Sequence, residues 1–375
     1  MPNETPLIEM SRTHPPLVPA VFDPEYRAAL DAVMARFSPS EVVGAHRWMG
    51  TEADRVAGAA FTARRLGAAP DPRRVVVTNG TQSAFNMLLG GLVGRGEVLA
   101  VENLTYPPVL ALAERLGFAP RGVAMDEEGM LPDALEALCR EAKPKAAYLL
   151  STLQTPTTAT MSLARREAIV DVARRYDLQL VEDDIYSILP QSAPPPLSAL
   201  APERSWYILG VAKSLAAGMK IAYLVAPSAG EAERQFWPGV RATFWMAAPF
   251  SAAVATQLIE NGGADRVIDA VKAEMNGRHR LIAPMIAGLD SVTADGALHV
   301  WIRLPAPLVA KDLAARIRER GVNIATGDPY APPGESAPSA LRVGIGHARS
   351  QDELAKAMRI IVEVCAQAQT EVAKS

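Results

Sequence analysis

The order of apolar runs predicts an α/β fold followed by a smaller α+β unit. Three observations carry that expectation. Between residues 75 and 225, short apolar runs alternate with amphipathic stretches, the pattern of strands feeding helices in a layered sheet. Beyond residue 264 the order becomes helix, strand, helix, strand, loop, strand and helix. A chain of 375 residues also buries about three-quarters of its surface, enough for one large core and a smaller one.

Strands are expected over 75–78, 98–101, 121–124, 146–151, 179–182, 206–210 and 221–225, seven in all. Apolar residues at three and four residue spacing predict helices over 81–92, 109–116 and 163–176. The proline-rich stretch 192–196 reads as a surface loop. In the last hundred residues the elements are a long helix over 264–289, a strand over 298–304, a helix over 310–320 and a strand over 322–325. A Gly/Pro/Ser-rich loop over 327–339, a strand over 341–344 and a helix from Asp352 complete the chain. Residues 1–45 hold too little apolar periodicity to fold alone. They are expected to form an arm packed on a large domain over 46–263 and a small domain over 264–375.

Charge and cysteine usage narrow the function. Lys plus Arg is 38 against 41 for Asp plus Glu, a net charge of −3, so there is no basic surplus of the kind that holds nucleic acid. The opening MPNETPLIEM carries an acid and lacks the basic-then-apolar order of a signal peptide. No apolar run reaches the roughly 18 residues of a membrane span. Cys139 and Cys365 are the only cysteines, which suits a reducing cytoplasm and excludes a disulfide framework. The five histidines form no i,i+4 pair, so no metal clamp is expected.

Four local patterns can carry chemistry. Val75-Val76-Val77-Thr78-Asn79-Gly80-Thr81-Gln82 is a strand that turns through Asn-Gly into a helix, leaving amide donors at the positive end of the helix dipole. It is a phosphate cradle or an ordinary capped turn. Leu180-Val181-Glu182-Asp183-Asp184-Ile185-Tyr186 puts three acids at the end of an apolar strand, where open α/β sheets bind ligands. Such an acid can act as a base, pair with a cationic ring nitrogen or simply face solvent; metal binding ranks last, for want of a neighbouring histidine. Lys213, in Gly210-Val211-Ala212-Lys213-Ser214, follows a buried strand among small residues. Desolvation there makes a nucleophilic amine, whereas a snorkelling lysine stays inert. Arg342, inside the apolar Leu341-Arg342-Val343-Gly344, needs an anion. That is either a ligand carboxylate or one of the chain's own acids. The glycine-rich 90–96 segment follows a helix rather than a strand and reads as a helix end, not a dinucleotide site.

In this order and spacing the patterns resemble the fold type I aminotransferases, enzymes dependent on pyridoxal phosphate (PLP). Within them they are similar to the 2-aminoadipate-type aminotransferases and to the aminotransferase-like domains of MocR regulators. SRTHPPLVP, VVVTNGTQSAFNMLLGGL, VENLTYPP, MDEEGMLPDALEAL, QTPTTATMSLARR, LVEDDIY, AKSLAAGMKIAYLVAP, GALHVWIRLP and LRVGIG carry the likeness across nearly the whole chain. The resemblance implies a large domain with a seven-stranded, mostly parallel sheet between helices, plus a smaller α+β domain. It implies that Lys213 forms a Schiff base with PLP and shuttles the substrate Cα proton. Asp183 would pair with the pyridine nitrogen, and Tyr186 would hydrogen-bond the phenolic oxygen. Tyr106 would stack on the ring, and Gly80, Thr81 and Gln82 would hold the phosphate. Arg342 would take the substrate α-carboxylate, and the enzyme would be a homodimer.

The chain departs from the family's motifs at several of these positions. Thr155 replaces the usual asparagine beside the phenolic oxygen. Gly210 and Ala212 replace two serines before the lysine. Lys220 stands where an arginine usually grips the phosphate, supplying charge without the bidentate fork. Looser cofactor retention than in typical relatives follows.

Three functions compete on this sequence. The first is transamination between an α-amino acid and a 2-oxo acid. The second is another PLP reaction: β- or γ-elimination, decarboxylation, racemisation or carbon–carbon bond formation. The third is a non-catalytic PLP-binding effector domain. SRTHPPLVP begins at Ser11, leaving no room for the winged helix-turn-helix of a MocR regulator, so DNA binding is not expected. Pro15-Pro16, the region of Trp48 and the loop around Tyr330 are the candidates to line the side-chain pocket. Neither His46 nor Trp48 substitutes convincingly for a partner-subunit tyrosine at the phosphate.

Overall fold

The computed structural model describes residues 7–374. The first six residues, where the expected arm begins and where most of the segment weighed as a signal peptide falls, lie outside the described residues, as does Ser375.

Seven strands form the large sheet in the order Val75–Thr78, Ala222–Val225, Ser205–Gly210, Gln179–Asp183, Ala146–Leu149, Val98–Glu102 and Ala119–Val123. Neighbours run parallel, except that Ala222–Val225 is antiparallel to both of its partners. Strands such as Val75–Thr78 and Ser205–Gly210 are buried at every residue, so their sequences read as unbroken apolar runs rather than alternations. The edge strand Ala119–Val123 instead is half-buried, with Arg121 exposed, and carries Pro120 and Arg121, residues that blunt a free edge. Helices Thr81–Leu92, Pro107–Leu116, Pro132–Ala142 and Leu163–Arg175 connect the strands.

The smaller sheet is antiparallel, in the order Ser291–Val292, His299–Arg303, Ala340–Gly344, Ala325–Thr326. In its register Trp301 opposes Arg342 and His299 opposes Gly344. Strand alternation therefore puts His299, Trp301 and Arg342 on one face. Helices Gly263–Ile286, Ala310–Glu319 and Gln351–Lys374 accompany this sheet.

Several elements depart from the expected pattern: the edge strand is Ala119–Val123 rather than 121–124, and the strand expected over 146–151 ends at Leu149. The single strand over 322–325 is two pieces: Val322–Asn323 pairs with Ile8–Glu9, and Ala325–Thr326 joins the small sheet. The long helix ends at Ile286 rather than 289. The arm contains an 18-residue helix, Pro19–Arg36, which buries only Ala29 and Val33 fully. So narrow an apolar stripe gives little periodicity, and the helix is held by packing on Pro249–Glu260 and Gly263–Ile286.

Upstream of that helix, residues 10–14 run against the glycines of the last strand. The Gly344 amide donates to the Met10 carbonyl at 2.6 Å. A Cβ at Gly344 would collide with the Arg12 carbonyl, and one at Gly346 with the His14 carbonyl. Glycine at both places is what lets the strap lie this close.

Candidate active site

The carboxyl ends of the parallel strands meet the strap and the face of the small sheet. Residues from all three sources converge there.

The helix Thr81–Leu92 begins after Gly80, whose φ of 79° suits glycine alone, and no side chain caps its first amides. Lys220 lies over this turn: a Cβ at Gly80 would sit 3.8 Å from the Lys220 Cα and Cδ. The Asn79 amide fastens the two segments, donating to the Lys220 carbonyl at 3.1 Å and accepting from Trp245 Nε1 at 3.2 Å. Gln82 reaches outward to the Tyr106 hydroxyl, 3.2 Å away.

Gly210 faces the same turn. A Cβ there would lie 2.9 Å from Thr81 Cγ2 and 3.4 Å from Ile185 Cδ1, so the Thr81 methyl already fills the space a serine would need. Gly210→Ser is expected to destabilise the fold by about 1–3 kcal/mol through overpacking. Chemical denaturation of this variant beside Gly210→Ser/Thr81→Ser checks it, because the double variant should recover most of the loss.

Asp183 ends its strand fully buried. Tyr148, on the neighbouring strand, donates its hydroxyl to Asp183 Oδ2 at 2.9 Å, and Oδ1 has no partner. Burial, only partly offset by the Tyr148 hydrogen bond, pushes the carboxyl up to about 7. Glu182 and Asp184, its neighbours in sequence, serve structure instead. Glu182 accepts from Ser151 and Ser198 and from the backbone amides of Leu197 and Ser198, while Asp184 pairs with Arg65 and Tyr207.

Lys213 sits one short 3-10 turn beyond its strand, its amine enclosed although part of the stem is exposed. Nζ donates to the Thr13 carbonyl at 2.6 Å and to Thr13 Oγ1 at 3.3 Å. Burial first, then the cations Arg342 and Lys220, push the amine down to about 8, with Asp183 opposing. Tyr186 lies beneath it, with Nζ 5.9 Å from the ring centre. Its hydroxyl is 3.1 Å from Thr13 Oγ1.

Arg342 pairs with no acid among the described residues. Its Nη2 donates to the Ser11 carbonyl, Nε has no partner, and the guanidinium lies 5.4 Å from the Tyr330 ring centre. Thr155 is buried with its hydroxyl unpaired, and the carbonyl of the next residue, Pro156, lies 2.9 Å from His299 Nε2.

The structure thus brings together Gly80, Thr81, Gln82, Tyr106, Asp183, Tyr186, Lys213, Lys220 and Arg342, with Thr155 joined through Pro156 and His299. Of the pocket candidates, Tyr330 reaches the site. Trp48 packs instead with His46, Trp237 and Phe244. Thr13, Tyr148 and His299 were not singled out from sequence. His299 leaves a signal, a lone polar residue in an apolar strand. Tyr148 and Thr13 leave none, because their roles depend on strand order and on a contact some 200 residues away.

The unpaired buried atoms test whether PLP suits this site. Asp183 Oδ1, Thr155 Oγ1, Ser214 Oγ and Arg342 Nε are all buried without partners. An orphaned polar atom costs about 1–3 kcal/mol, and orphans on Asp183 and Arg342, the charged neighbours of the Lys213 amine, fit a ligand rich in polar groups. The residues present fit the group.

Fold and site together define a two-sheet α/β scaffold that keeps a desolvated amine and a buried carboxyl at the strand ends of its large sheet. The chain belongs to the aminotransferase class I and II family, whose model matches residues 50–361. Solved structures with this fold include an archaeal alanine:glyoxylate aminotransferase, 24% identical, with a TM-score of 0.85 over 97% of this chain and 91% of that one. Another is the α-aminoadipate aminotransferase LysN of Thermus thermophilus, 21% identical, with a TM-score of 0.86 over 97% and 93%. The fold type I assignment drawn from the motifs is thereby borne out. Among curated relatives, the HTH-type transcriptional regulator TauR of Rhodobacter capsulatus is 29% identical over 79% of this chain and 62% of its own length. Aromatic-amino-acid aminotransferase 1 of Thermococcus litoralis is 26% identical over 68% and 64%. The chain therefore spans somewhat less than two-thirds of the length of these curated relatives.

Proposed function

We propose that the chain is a PLP-dependent aminotransferase that moves the amino group of an α-amino acid to a 2-oxo acid. One observation carries the reading: the enclosed Lys213 amine, lowered toward neutrality, shares its site with the buried Asp183 carboxyl and an arginine that faces no acid among the described residues and whose Nε has no partner. When bound, PLP supplies an aldehyde carbon that amines condense with and a cationic ring that takes up the electron pair released at Cα.

The chain's own groups divide the remaining work. Gly80, Thr81 and Gln82 offer backbone amides to the phosphate, and Lys220 adds charge. Asp183 Oδ1 would hold the proton of the ring nitrogen. The Thr155 and Tyr186 hydroxyls would serve the ring oxygen, and Tyr106 would lie against the ring face. Lys213 Nζ, with an affinity near physiological pH, takes the Cα proton and returns it. Arg342 trades the Ser11 carbonyl for the substrate carboxylate, a charged and stronger acceptor. The strap excludes water above them.

Incubating the PLP-loaded protein with a panel of amino acids and 2-oxoglutarate tests the reading. Stoichiometric 2-oxo acid and glutamate support it. Product without glutamate moves the chain to another PLP reaction, and cofactor binding without turnover favours the effector role that the regulators among its relatives suggest. Arg342→Lys is expected to raise KM for the amino acid about 10- to 100-fold, as loss of a charged fork does, with less change in kcat. Lys220→Arg is expected to tighten PLP by about tenfold, read by equilibrium dialysis; a parent dissociation constant already below micromolar would contradict the loose-retention argument.

The same reading includes a homodimer. The exposed Phe244, clustered with His46 and Trp48, supports a second copy seated there. Cytoplasmic residence is supported by two unpaired, buried cysteines. Among the described residues no helix is long and apolar enough to cross a membrane. We divide the chain into an arm over 1–45, a large PLP-binding domain over 46–263 and a small domain over 264–375. The two separate sheets and the helix starting at Gly263 support that division.

A further inference from the structure

We infer that Thr13 is a positioning residue for the Lys213–Tyr186 pair: its carbonyl holds the amine, and its hydroxyl fixes where the Tyr186 proton is offered. This rests on the PLP reading above. Donor and acceptor counting carries it. In the protein without cofactor the lysine ammonium only donates, so Thr13 Oγ1, 3.3 Å from Nζ, accepts there; with cofactor bound, a phenol proton given to the ring oxygen would still leave the Tyr186 oxygen to accept from Thr13. The Thr13 proton is then free for the Tyr186 oxygen, 3.1 Å away. The Tyr186 hydroxyl has no other hydrogen-bond partner among the described residues, so its own proton has no protein acceptor and is available to an oxygen of a bound ligand. A phenol that accepts one hydrogen bond also donates a stronger one.

The geometry is held from both sides. Thr13 is 6% exposed, and the strap that carries it is pinned by Arg342 at the Ser11 carbonyl and by Gly344 at the Met10 carbonyl. His14, next along, lies 3.2 Å from His347, Nδ1 to Nδ1. The charged and titratable groups around the amine and phenol are Arg342, Lys220, Asp183, Tyr106, His14 and His299. None of these supplies Tyr186 with a hydrogen bond.

Thr13→Val keeps the carbonyl and the branched shape and removes only the hydroxyl. In the PLP-loaded protein, the pH midpoint of the visible absorbance band is expected to move by about one unit in Thr13→Val. Thr13→Ser should stay within about half of that shift. Tyr186→Phe should move the midpoint too, and Thr13→Val added to it should move it no further, because Thr13 acts through the phenol. A Thr13→Val midpoint equal to the parent's, or shifts that add in the double variant, would overturn the inference. If Thr13→Val does not fold, Thr13→Ala carries the same comparison. A parent that takes up PLP without a borohydride-fixed adduct at Lys213 condemns the functional reading itself. A parent with that adduct and an unmoved variant condemns only the role given to Thr13.

Discussion

Lys213→Ala is expected to cost about 10⁴-fold or more in amino-group transfer, the largest effect of any single change in this chain. General acid–base catalysis alone contributes about 10²–10⁴-fold, and this variant also removes the nucleophile. Partial recovery with added small amines would show that the missing function is an amine rather than a packing element. The physical check does not need turnover. Borohydride should fix PLP to Lys213 in the parent, located by peptide mass, and to nothing in the variant. Lys220 is the competitor to exclude, since it lies over the Gly80 turn proposed to hold the phosphate. An adduct mapping there would reassign the site.

Asp183→Asn is expected to lower turnover by about 10²–10⁴-fold, because an amide cannot hold the ring nitrogen's proton as a carboxylate does. Its effect on the protein without cofactor has the opposite character. The folded carboxyl is raised to about 7 from a reference of 3.8. Between those values the folded state holds a proton that the unfolded state has released. This group's contribution to stability is therefore complete below pH 4 and is lost as pH rises toward 7. The slope is about 1.4 kcal/mol per pH unit at most. Asparagine removes that slope, so urea midpoints of parent and variant should converge or cross as pH rises from 5 to 7. His14, lowered to about 4, adds the same slope to both proteins, whereas Glu102, raised to about 8 by burial with Asp183 adding, loses that neighbour's charge in the variant. The difference between the two proteins therefore reads Asp183 together with its coupling to Glu102.

How much of this was legible in the sequence depends on what each feature rests on. The Thr81–Leu92 helix was bounded correctly because its start is a Gly turn and its body is apolar at helical spacing. The strands carrying Asp183 and leading to Lys213 were legible because buried parallel strands are uninterrupted apolar runs. Arg342 stood out as a charge within such a run. The Pro19–Arg36 helix was not legible, since its stability comes from neighbours distant in sequence. Nor was Tyr148, because only the strand order places its phenol on Asp183. Gly210 looked like a loss of hydroxyl function; the structure shows a space already filled by Thr81.

Ser11 and Arg342 meet across 331 residues. A ribosome adding about 5–20 residues per second needs roughly 15–65 seconds between them. Through that interval the large sheet can assemble while its upper rim stays uncovered. The Ser11 carbonyl thus meets its guanidinium only once a further 331 residues have been made, and until then the strap lacks that pin.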